Sequence, residues 1–113
     1  MAGDREALAR LLAEAGAEYR RTLPGRIEEI EVLWLAKAKG TLSEEKLEEL
    51  RRLIHTIAGS ARTFGLPAVS EAARALEMAI SSSDEGPAGT MPEEGVERAN
   101  KLFEALKRSA GND

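Results

Sequence analysis

The chain has 113 residues with one histidine, no cysteine and a formal net charge of −4, which is room for one hydrophobic core but not two. The missing cysteines exclude a disulfide framework and a thiolate metal site, and a single histidine excludes a multi-histidine metal centre, though carboxylates alone could still hold a hard cation. Acids and bases are interspersed and no basic face stands out, so general nucleic-acid binding is not expected.

No apolar run is long enough to span a bilayer, and Met1-Ala2-Gly3-Asp4-Arg5-Glu6 lacks the apolar stretch of a signal peptide. A cytoplasmic, monomeric protein is the expectation. Aromatics make up only 4% of residues, so the core must be built from Leu, Ile, Val and Ala. That composition favours packed helices over a sheet.

The first predicted helix runs from about Asp4, a candidate N-cap, to about Arg21, with Leu8, Leu11, Leu12, Ala15 and Tyr19 as its apolar positions. Pro24 marks a restart, because proline suits a first turn and harms a helix interior. A second helix then runs to about Lys39 on a stripe of Ile27, Ile30, Leu33 or Trp34, and Ala38, with Gly40 as its C-cap. Thr41-Leu42-Ser43-Glu44 fits a capping box and opens the third helix. There Leu47, Leu50, Ile54, Ile57, Ala61 and Phe64 recur at steps of three and four, as a buried seam requires.

Gly65 closes that helix and Leu66-Pro67 opens the fourth, which carries Val69, Ala72, Ala73, Leu76 and Ile80 to about Ser82. A polar, mobile loop is expected at about 82–91. Pro92 opens the last helix on Val96, Ala99, Leu102, Phe103 and Leu106, and the tail is expected to fray from Ser109, over about 109–113. The fold class is therefore all-α: residues 1–113 form one domain, an antiparallel up-and-down four-helix bundle with an additional N-terminal helix. That extra segment either crosses one end of the bundle or extends the helix after it.

His55 lies inside the most helix-like stretch. At about 100° per residue, Leu47, Leu50, Ile54, Ile57 and Ala61 cluster about 80° to 160° to one side of it, so His55 sits on a partly exposed shoulder. Gly59 follows one turn on, Arg62 is nearly in line two turns on, and Arg51 and Arg52 flank it one turn back. Gly59 costs roughly 1 kcal/mol of helix propensity relative to alanine, and it leaves a gap through which another molecule can approach the imidazole. The arginines make a positive field suited to a phosphoryl group or to a partner's carboxylates. A neutral imidazole is available as a nucleophile. The same spacing also describes an ordinary surface histidine among solvated charges, and geometry alone does not separate the two.

His55-Thr56-Ile57-Ala58-Gly59-Ser60-Ala61, continuing to Phe64-Gly65-Leu66-Pro67 and Leu76-Glu77, resembles the signature of histidine-containing phosphotransfer (HPt) domains. The matching positions are His55, Ile57, Gly59, Ser60, Ala61, Gly65, Leu76 and Glu77. One departure stands out: Ala58 occupies the place where the family commonly has a lysine. The resemblance implies a phosphoryl carrier rather than an enzyme, working in a two-component phosphorelay. His55, through its outer nitrogen Nε2, would take the group from a kinase or a receiver aspartate and pass it to a receiver aspartate. The implied partners are histidine kinases and the receiver domains of response regulators, with no cofactor in this domain and Mg²⁺ supplied by the receiver.

Arg51, Arg52, Thr56, Gly59, Ser60, Arg62 and Thr63 are the candidate phosphate-stabilising or docking residues, with Leu35 either an apolar contact or a core residue. Arg62, with Arg51 or Arg52, is expected to replace the missing lysine. Ser60 could equally bond the backbone one turn back. Two other readings compete. A helical scaffold that no longer transfers phosphate is favoured by Ala58. The dimerisation domain of a histidine kinase is disfavoured by Thr56, which stands where that class usually has an acidic residue.

Overall fold

The computed structural model describes residues 2–83 and 93–111, and these form four helices with no strand among them. Helix α1 spans Ala2–Ala38, α2 Glu44–Thr63, α3 Pro67–Ser83 and α4 Glu93–Gly111. Each helix packs on the next, and α1 closes the ring against α4, giving the up-and-down bundle. The expected loop falls almost wholly on residues 84–92, outside the described residues, while Ser82 and Ser83 belong to α3. Of the tail expected to fray over about 109–113, residues 109–111 belong to α4, and 112–113 lie outside the described residues.

The additional N-terminal helix is corrected too. Pro24 lies inside one unbroken α1 of 37 residues, so the segment before it extends the helix that follows. Leu23 and Ile27, on either side of the proline, are both buried, as are Tyr19 and Ile30 one turn further out. Core packing thus anchors both sides of Pro24, and the proline itself faces solvent.

At 1.5 Å per residue α1 is about 55 Å long and α2 about 30 Å. The molecule's longest dimension is 59 Å, so the first turns of α1 outrun the bundle. Leu8, Leu11 and Leu12, expected as a buried stripe, are each more than half exposed, and Ala15 is exposed as well. Burial along α1 begins with Gly16 and Tyr19, where Tyr19 stacks on Phe64 with ring centroids 4.9 Å apart. Further along, Trp34 is buried and its Nε1 donates to Asn100 Oδ1 at 2.7 Å, tying α1 to α4. Ala38 is exposed, and Lys37 takes the buried place on that face.

Of the α2 seam, Leu50, Ile54, Ile57 and Ala61 are buried, while Leu47 and Phe64 at its two ends are half-buried. Its cap is Ser43 rather than Thr41: Ser43 Oγ accepts from the Lys46 amide at 3.2 Å, while Thr41 Oγ1 turns back to the Ala36 carbonyl. Gly65, at φ 78°, ends α2 in the left-handed conformation that side chains resist. The Leu66 amide then reaches back to the Ala61 carbonyl at 2.8 Å, a Schellman-type close that turns the chain into α3.

Candidate functional site

His55 stands on the outer surface of α2, its side chain 76% exposed, and is the only histidine of the chain. Its Nδ1 lies 2.9 Å from Glu77 Oε2 on α3. A carboxylate oxygen only accepts, so Nδ1 carries the proton and donates it. In the neutral imidazole the lone pair is thereby left on Nε2, on the side of the ring away from Glu77. Two residues of the Leu76-Glu77 pair divide the labour: Leu76 is fully buried and sets the register of α3, and Glu77, next in sequence, emerges at the rim to hold the imidazole. The spacing around His55 left Glu77 unassigned, although its match to the motif was the available signal.

An open groove beside the imidazole is lined by Glu45, Glu48, Glu49, Arg51, Arg52, His55 and Glu77. It lies on the N-terminal side of His55, because helical side chains lean back over the preceding turn. Arg51 is half-buried and has Glu48 Oε1 at 3.8 Å, whereas Arg52 is exposed. A second groove, between α1 and α2, is lined by Arg26, Glu29, Ile30, Leu53, Thr56 and Ile57.

The candidate residues therefore divide. Arg51 and Arg52 share a groove with His55, and Thr56 lies in the neighbouring one. Gly59, Arg62 and Thr63 are exposed on the C-terminal side of the histidine and line neither groove. A Cβ built at Gly59 meets nothing within 4 Å, so no neighbouring helix requires a glycine there. Ser60 is engaged elsewhere: its Oγ donates to the Thr56 carbonyl at 2.7 Å and lies 2.8 Å from Tyr19 Oη, which fastens α1 to α2. Thr63 Oγ1 turns back to the Gly59 carbonyl.

Ala58 is 4% exposed and faces α3, where the buried Ser70 hydroxyl donates to its carbonyl. Position 58 is thus part of the α2–α3 seam. Leu35 is half exposed, yet it lies one turn beyond Glu31, which pairs with Lys107 of α4. That puts Leu35 on the flank of α1 towards α4 rather than beside His55.

The arrangement can do one thing well. It presents an outward-facing imidazole nitrogen on a helix, with a carboxylate behind the ring, an open groove on its N-terminal side and the exposed Gly59 one turn on.

The family model described as Hpt domain matches residues 14–109. The exposed leucines at the start of α1 fall before the matched segment. No curated protein and no solved structure matches the chain.

Proposed function

The chain belongs to the Hpt domain family, and from that premise we propose that it is a phosphoryl carrier of a two-component phosphorelay, with His55 as the residue that bears the group. The observation that carries this reading is the His55–Glu77 pair: a highly exposed imidazole whose inner nitrogen is held by a carboxylate at 2.9 Å.

In the forward step the Nε2 lone pair attacks the phosphorus of an acyl phosphate on a receiver aspartate. A P–N bond forms, the P–O bond to the aspartate breaks, and its electron pair leaves with the carboxylate. Nδ1 keeps its proton, so the ring becomes cationic, and the Glu77 carboxylate offsets that charge. The reverse sequence delivers the group to the next receiver. Mg²⁺ belongs to the receiver, where it neutralises charge on the transferring group. This domain contributes position and access, and Gly59 keeps the surface beside the nucleophile low enough for a partner's active-site rim to approach.

The partners of this reading are receiver domains and a histidine kinase, met in the cytoplasm by a monomeric domain. Arg52, Thr56, Gly59, Arg62 and Thr63 form the surface around the nucleophile, and Arg51 supports it from the α3 side. Incubation with a phosphorylated receiver, or with a kinase and radiolabelled ATP, tests it. The expected label is acid-labile, base-stable and lost in His55→Gln. A folded wild-type protein that takes no label from such donors would leave the scaffold reading in its place.

A further inference from the structure

Ala58 offers no cation where the family commonly has one, and its side chain is buried against α3. A phosphoryl group on His55 therefore needs its counter-charge from elsewhere, and three arginines of α2 compete for that role.

Two facts about the ring decide between them. Nδ1 is turned towards Glu77 on α3, so Nε2 points away from α3. The side chain also leans towards the N-terminus of α2, over the turn that holds Arg51 and Arg52. Around the helix, Arg51 is displaced from His55 by about 40° towards the α3 flank, and Arg52 by about 60° the other way. Ala58, at about 60° on the Arg51 side, marks which flank is α3. Nε2 thus faces the Arg52 flank.

Arg51 is further committed, being half-buried with Glu48 at 3.8 Å. Arg62 stands two turns on, about 10 Å along the axis, and lines neither groove. Arg52 is exposed and lines the same groove as His55.

We propose that Arg52, and not Arg62, holds the phosphoryl group carried on Nε2 of His55, in place of the family's lysine. The proposal rests on the reading of His55 as the carrier. A guanidinium gives paired N–H donors in a plane that matches two phosphoryl oxygens. Position i−3 on a helix puts its Cβ about 5–6 Å from that of the histidine. The need is local: Glu45, Glu48 and Glu49 line the same groove, so a phosphoryl group there meets carboxylates unless Arg52 intervenes.

The test uses the whole protein phosphorylated with potassium phosphoramidate and followed by ³¹P NMR over pH. A cation beside phosphohistidine favours loss of its proton, so the wild-type resonance titrates with a lowered midpoint. In Arg52→Gln the midpoint should rise by about 0.3–1 pH unit, with Arg52→Lys falling between and Arg62→Gln within about 0.2 of wild type. Coincident midpoints for Arg52→Gln and wild type, or a larger shift in Arg62→Gln, would overturn it. Circular dichroism checks that each exposed substitution leaves the bundle folded. A phosphohistidine signal that survives while the midpoints coincide refutes the role of Arg52 alone. No phosphohistidine signal at all, in folded wild type, refutes the carrier reading and this proposal with it.

Discussion

Removing the Glu77 carboxylate is the sharpest perturbation the site allows. In Glu77→Ala the imidazole loses a charge-assisted hydrogen bond of 2.9 Å. Such bonds contribute roughly 1.5–3 kcal/mol net. Here the side chains are 76% and 26% exposed, so water recovers part of that. The loss bears mostly on the transition state, in which the ring becomes cationic, and about 1–2 kcal/mol is a reasonable share. At 1.36 kcal/mol per tenfold, transfer should slow about 5–30-fold. In Glu77→Gln the amide oxygen can still accept from Nδ1–H without the charge, so a smaller loss of about 2–5-fold is expected.

Single-turnover transfer from a phosphorylated receiver measures the rates. ¹⁵N NMR of the imidazole supplies an independent signature, since Nδ1–H should dominate in wild type and both tautomers should appear in Glu77→Ala. Urea unfolding should move by less than about 0.5–1 kcal/mol, because the bond lies at the rim of the bundle. A Glu77→Ala protein that transfers within twofold of wild type and keeps the Nδ1–H tautomer would refute the reasoning.

Three further outcomes follow from the same geometry. Gly59→Ala meets no neighbouring atom, so it should stabilise the fold by about 0.5–1 kcal/mol in urea while slowing transfer from a receiver more than labelling by phosphoramidate; equal effects on both donors would remove the docking role of the gap. Leu23→Ala, in the core beside Pro24, should cost about 2–5 kcal/mol, whereas Leu11→Ser on the overhanging turns should stay within about 0.5 kcal/mol; equal losses would contradict the exposed stripe. Burial, with a smaller contribution from the nearby Arg51 charge, holds the pKa of Lys37 below its ordinary 10.5. The unfolded chain therefore binds the Lys37 proton more tightly, so stability should rise with pH in the window below 10.5. Lys37→Met should flatten that rise in urea titrations, and an unchanged slope would exclude the burial effect.

Much of this architecture is local and so is legible residue by residue. The steps of three and four in α2 and α4 predict Leu50, Ile54, Ile57, Ala99, Phe103 and Leu106 as core, and all are buried. Gly40 and Gly65 end their helices at positive φ because no other residue adopts it cheaply. His55 is placed on an exposed shoulder by angle alone, since a helix carries its own hydrophobic face in its period.

What the period cannot express is the neighbour. Proline's local preference argues for a break at Pro24, but burial of Leu23 and Ile27 on both sides overrides it. Leu8, Leu11 and Leu12 make a proper apolar stripe, yet among the described residues no other helix extends far enough to cover it. Ser60 could be read as bonding the backbone one turn back, as it does, but not as the partner of Tyr19 from α1, and Ala58 reads as a missing cation until α3 closes over it. Glu77 meets His55 only because the rotation and register of α3 against α2 place them 2.9 Å apart across 22 residues of chain. Each helix's face is written in its own residues; the pairing of those faces, and with it which nitrogen of His55 is turned outward, is set by packing between helices.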